Sequence, residues 1–150
     1  MTETDKRKIV SIFRSNEAQT ECAKIIAAFA YYVDHRFFAE AVALFKPDGV
    51  FQRPDLTAKG HAEIAAIWSN RPASVVTRHL CSQPFFMQVR EDLITSVTPF
   101  TLYSIEHGGD GLPQCDRITA IAEFSDRFEL TREGWRIAHR TGTPIILGRR

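Results

Sequence analysis

Residues 16–51 read NEAQTECAKIIAAFAYYVDHRFFAEAVALFKPDGVF, and their reading sets the order of the fold. Cys22, Ile25, Ile26, Phe29, Tyr32 and Val33 recur at spacings of three and four, which predicts an amphipathic helix from Glu17 to Asp34. A shorter helix, Phe37 to Leu44, follows at once, and Pro47, Asp48 and Gly49 supply the chemistry that stops it. Two helices therefore meet near Asp34. Val50 to Gln52 then read as a short strand. Upstream, residues 1–15 are polar and basic with a small apolar stripe at Ile9, Val10, Ile12 and Phe13, an N-terminal arm or short helix. Residues 16–150 are expected to form one domain, since the chain has 150 residues in all.

Downstream, Gly60 to Asn70 reads as a third helix with Ile64, Ile67 and Trp68 on its buried side, ended by Pro72. The pattern then turns to strand. Val75 to Val89, Leu93 to Glu106, Gln114 to Leu130 and Gly134 to Ile146 are rich in β-branched and aromatic residues. They are separated by the turn signals Arg90-Glu91-Asp92, HGGDGLP and Thr131-Arg132-Glu133-Gly134. Helices first and long strands second predict an α+β domain: a curved antiparallel sheet with three N-terminal helices across it, enclosing a pocket. Pro84 and Pro99 lie inside strand-like stretches, where each removes a ladder donor and marks an edge, a bulge or a bend.

Nineteen Lys plus Arg balance eighteen Asp plus Glu, leaving a net charge of +1. No global field favours nucleic acid or an anionic membrane. The three cysteines, Cys22, Cys81 and Cys115, have neither Cys-x-x-Cys spacing nor even number, so reduced structural thiols are the expectation. No apolar run reaches the roughly eighteen residues that span a bilayer, and no signal-type segment follows the first residues, so a cytoplasmic location is expected. Metal-ligand spacings, Gly-x-Gly-x-x-Gly and the Walker pattern are all lacking, so neither a metal nor another cofactor is expected.

Four stretches, YYVDHRFFAEAVALFKPDGVF, KGHAEIAAIW, VTRHL and FSDRFELTREGWRIAHR, together resemble the SnoaL-like family of the nuclear transport factor 2-like superfamily, over Glu17 to Thr143. The resemblance implies a cone-shaped α+β fold. It does not choose among the dehydratases, isomerases, cyclases, dioxygenase small subunits and non-enzymatic binders of that superfamily. Asp34 and His79 match the catalytic pair of scytalone dehydratase, and Arg140 matches a basic residue on the last strand of related eliminating enzymes. Two positions depart from scytalone dehydratase: Ser104 stands where it has a further histidine, and Val33 precedes Asp34 where it has tyrosine. Tyr32 or Tyr103 could supply a phenol instead.

In this reading the Asp34 carboxylate accepts the Nδ1 proton of His79, leaving Nε2 free as base. The plainer alternative makes Asp34 a helix-end carboxylate. Arg140 could stabilise developing charge, or form a surface ion pair. Strict alternation along GWRIAHR puts Trp135, Ile137 and His139 on one face of the strand and Arg136, Ala138 and Arg140 on the other. Phe51, Trp68 and Phe124 join Tyr32, Tyr103 and Ser104 as expected ligand contacts. Phe29, Phe38, Phe45, Phe85, Phe86, Phe100 and Phe128 are expected mostly in the core, with several also lining the cavity. Such a lining suits a small, cyclic, largely apolar ligand. The leading expectation is a cofactor-independent lyase acting by dehydratase-like elimination on an aromatic or polyketide-like substrate. An isomerase or polyketide cyclase, a non-catalytic binder and a dioxygenase-small-subunit-like protein are the alternatives. A homo-oligomer is expected, a dimer in preference to a trimer.

Overall fold

The computed structural model describes residues 2–149, apart from the side chains of residues 5 and 7–14. The first helix, α1, runs without a break over Glu3–Asp34 instead of starting at Glu17. Nothing upstream of Glu17 ends a helix, since that segment contains neither Gly nor Pro. The stripe expected at Ile9, Val10, Ile12 and Phe13 concerns side chains outside the described residues. Next come α2 (Phe38–Ala43), β1 (Phe45–Arg53), β2 (Leu56–Lys59) and α3 (Gly60–Ser69). Five strands complete the chain: β3 (Val75–Cys81), β4 (Phe85–Val89), β5 (Leu93–Glu106), β6 (Ala120–Thr131) and β7 (Gly134–Leu147). Among the described residues no helix is long and apolar enough to cross a membrane.

All seven strands join one sheet in the order β2-β1-β7-β6-β5-β3, with β4 also on β5. The sheet is mixed, which corrects the antiparallel expectation: β1 lies parallel to β7, Phe51 beside Arg140. Parallel partners need a long crossover. Here the intervening helix and strands supply it, so no local sequence signal announces the pair.

The expected strand Val75–Val89 is two strands lying end to end on one edge of β5. Cys81 pairs with Phe100 and Phe85 with Val97. Pro99 explains the break. Its carbonyl accepts the Ser82 N–H, so its missing N–H faces the gap between β3 and β4. Pro47, Asp48 and Gly49, expected to stop the second helix, lie beyond its end at Ala43 and inside β1, where the register against β7 slips between Phe45 and Val50. A Cβ on Gly49 would lie 2.9 Å from the Ile137 carbonyl oxygen, so only glycine fits this bulge. Gly60 starts α3 at φ +82°, a conformation that favours glycine.

The concave face of the sheet carries the core. Along β5 the inward residues are Ile94, Ser96, Thr98 and Phe100; along β6 they are Ala120, Ala122, Phe124, Asp126 and Phe128. α1 lies across this face. Phe29 meets Phe45, Phe51 and Phe124 edge-on, at centroid distances of 6.0, 5.8 and 5.7 Å. Edge-to-face rings fill the space between α1 and the sheet while keeping positive edges on negative faces. Phe85 is no part of this core. On edge strand β4 it is 70% exposed, because the apolar run there has only one neighbouring strand.

Candidate active site

The sheet and the helices border a cavity of about 640 Å³. That size suits a small organic molecule. Its walls follow from strand alternation. Thr77 and His79 on β3 face inward, as do Phe100, Leu102 and Ser104 on β5, and Ala120, Ala122 and Phe124 on β6. Phe29 and Val33 of α1, Phe51 of β1, and Ile67 and Trp68 of α3 close the other side. Arg53, Pro54, Asp55, Asn70 and Arg71 also border the space.

Asp34 is the last residue of α1, where the helix dipole disfavours a carboxylate. Three hydrogen bonds hold it there. Oδ1 accepts from Thr77 Oγ1 at 2.8 Å and from His79 Nδ1 at 2.6 Å; Oδ2 accepts the His79 backbone N–H at 2.7 Å. The side chains of Asp34 and His79 are 5% and 13% exposed. Burial would raise the Asp34 pKa, but the bonds from His79 and Thr77 outweigh it and hold the group below the usual carboxylate range. An ionised Asp34 is acceptor-only, so Nδ1 carries the proton and neutral His79 is left with a bare Nε2. Among the described residues Nε2 has no hydrogen-bond partner. The imidazole ring leans on Phe100 and Phe124, with centroids 5.5 and 6.3 Å away.

The turn after α1 is shaped by Arg36 at φ 65°, a left-handed conformation uncommon outside glycine. Its guanidinium donates to the carbonyls of Arg71 at 2.9 Å and Pro72 at 3.2 Å. This clamp ties the end of α1 to the segment leading into β3, and so keeps Asp34 opposite His79.

Of the expected site residues, the structure brings Asp34 and His79 together and places Phe51, Trp68, Ser104 and Phe124 in the cavity wall. Tyr32 and Tyr103 are not in the wall. Tyr103 sits between inward-facing Leu102 and Ser104, and alternation turns it to the convex side. Tyr32 is partly buried against the core and packs edge-on with Tyr31 and Phe37.

Arg140 departs further from expectation. It is neither on the surface nor in the wall but 0% exposed beneath it. Its Nε and Nη2 grip both Asp126 oxygens at 2.6 and 2.7 Å. Its guanidinium carbon lies 4.4 Å from the Phe29 ring centre and 4.1 Å from that of Phe124. The strict alternation fails at Ala138, where the β6–β7 register slips between Arg127 and Phe128. This bulge turns Arg140 to the same side as Trp135 and Ile137. A buried cation with a bidentate partner and two ring faces forms a rigid floor under the cavity.

Thr77, Arg71 and the Arg53–Asp55 pair went unread in the sequence. Thr77 was findable, because in VTRHL it lies two residues before His79 and so shares its face. Arg71 follows a helix end with no periodic signal. The cysteines are spread apart: Cys22 is buried, Cys115 exposed, and Cys81 between these extremes. Among the described residues no three His, Cys, Asp or Glu side chains gather as metal ligands would.

A mixed sheet coiled around a largely apolar pocket, with helices packed across it, defines a cone-shaped α+β protein. The chain belongs to the SnoaL-like domain family, whose model matches residues 14–141. Solved structures agree on the fold. A nuclear transport factor 2-like protein with a cystatin-like fold from Novosphingobium aromaticivorans is 19% identical at TM-score 0.79, covering 96% of this chain and 92% of that one. A provisionally named scytalone dehydratase from the same organism is 17% identical at TM-score 0.69, covering 99% and 91%. The β subunit of a provisionally named aromatic-ring-hydroxylating dioxygenase, also from that organism, is 19% identical at TM-score 0.73, covering 90% and 94%. At these identities the likeness is one of fold. No curated protein sequence matches the chain significantly.

Proposed function

We propose that the protein is a cofactor-independent lyase that eliminates water, or a comparable small group, from a small cyclic compound held in the cavity. The observation that carries this reading is the 2.6 Å Asp34–His79 contact, which leaves Nε2 of a cavity-wall histidine bare. Asp34 fixes the tautomer and stabilises the imidazolium that forms; His79 touches the substrate.

For a cyclic β-hydroxy ketone the step balances on His79 alone. Nε2 takes the proton α to the carbonyl. The freed electron pair forms the carbon–carbon double bond as the β carbon–oxygen bond breaks. The departing hydroxyl takes the same proton from Nε2 and leaves as water, and His79 returns to its neutral form. The stacked Phe100–Phe124 pair, with centroids 4.1 Å apart, and Trp68 supply the flat apolar surfaces a ring packs on. The provisionally named scytalone dehydratase among the fold relatives supports the same class of reaction.

A second reading uses the same base. If His79 returns its proton to a different carbon, the enzyme is an isomerase or cyclase, and a single acid–base group in the wall suits that chemistry equally. The test is to incubate the protein with a panel of cyclic β-hydroxy ketones and follow product mass and conjugation by mass spectrometry and ultraviolet absorbance. Loss of water that disappears in His79→Ala supports the lyase; conversion without change in mass supports the isomerase. Turnover undiminished in His79→Ala contradicts both.

A further inference from the structure

We infer that Arg71 is a specificity-determining residue that receives a carboxylate at the cavity, so that the preferred ligand is a cyclic or aromatic carboxylic acid. The inference rests on the reading of this cavity as the ligand site and adds to it the charge of the ligand.

The charged groups along the cavity differ in how their charge is met. Arg53 is neutralised, since its Nε and Nη2 donate to Asp55 Oδ1 and Oδ2 at 3.2 and 3.0 Å. Arg71 has no carboxylate partner among the described residues. Among the described residues its one side-chain hydrogen bond runs from Nη2 to Thr77 Oγ1 at 2.7 Å, and Nε and Nη1 have no partner. Thr77 in turn donates a hydrogen bond to Asp34, so a hydroxyl stands between Arg71 and that carboxylate. Arg36 adds a second cation, bonded to the Arg71 carbonyl. Burial and this like charge push the Arg71 pKa down and outweigh the opposing pull of Asp34.

A guanidinium with two open donors matches a carboxylate in shape and charge, and a half-buried one gains more from the match than a fully solvated one. The chain Arg71–Thr77–Asp34–His79 also fixes the geometry. A carboxylate on Arg71 is seated near the dyad while its ring lies among Trp68, Phe100 and Phe124, within reach of Nε2.

The experiment is calorimetric titration of the full chain with 2-naphthoate and with neutral 2-naphthamide, in wild type, Arg71→Gln and Arg71→Lys. Wild type should bind the acid about tenfold or more tighter than the amide. Arg71→Gln should erase that preference while binding the amide as before, and Arg71→Lys should restore part of it. Equal binding of acid and amide by wild type, binding of neither, or a preference that survives in Arg71→Gln would overturn the inference. Because the readout is binding and not turnover, an inactive dyad would leave the acid preference in place, so the two readings fail separately.

Discussion

Asp34 sits where a carboxylate is least welcome, at the negative end of a 32-residue helix and shielded from solvent. A residue kept there against its own solvation marks a functional site more strongly than one on a surface. Asp34→Asn should therefore keep the fold and lower turnover by about 10²–10⁴-fold, because His79 loses the partner that sets its tautomer. Steady-state kinetics beside circular dichroism checks both halves. Arg140 makes the opposite case. Arg140→Met should cost about 3–5 kcal/mol in urea unfolding, because it leaves Asp126 buried and unpaired. Adding Asp126→Leu should recover most of that loss, the signature of a buried ion pair whose role is architectural.

At the scale of elements, the helices and the long strands were legible because burial in them follows a fixed period. What escaped were the places where the period breaks. Ala138 adds one residue to β7 and moves Arg140 from the face that alternation assigns to the opposite one. The parallel β1–β7 pair joins segments distant along the chain, with no turn between them to read. The bulge in β1 gives its own prediction. Gly49→Ala should destabilise the protein by about 1–3 kcal/mol, measured by chemical denaturation, because the added methyl meets backbone oxygen that has nowhere to move. Within the site, the dyad was legible through family resemblance. Arg71 was not, because a loop residue's orientation is set by tertiary contacts alone.

For the whole molecule, the packing of the cone decides which groups meet solvent. Burial, with a smaller push from Asp126, raises the Cys22 thiol to about 12, so it stays protonated and unreactive. Iodoacetamide should label exposed Cys115 in the native protein and reach Cys22 only on unfolding, which peptide mass mapping would show. Acid stability follows from linkage. Asp34, through His79 and Thr77, and Glu129, through Lys46, both have folded pKa values below their ordinary ones. Each therefore contributes stability that is present above the unfolded carboxylate pKa near 4 and is lost as pH falls through the lower folded value. Urea unfolding should show the wild type losing stability over that interval, and Asp34→Asn losing less.

The most direct test of the account is the nitrogen-15 spectrum of the His79 imidazole at mildly alkaline pH, in wild type and in Asp34→Asn. The expected result is a protonated Nδ1 and a bare Nε2 in wild type, a Nε2 signal that moves when a ring ligand is added, and loss of the single tautomer in Asp34→Asn. A wild-type His79 protonated at Nε2, or one whose tautomer is indifferent to Asp34, would contradict it.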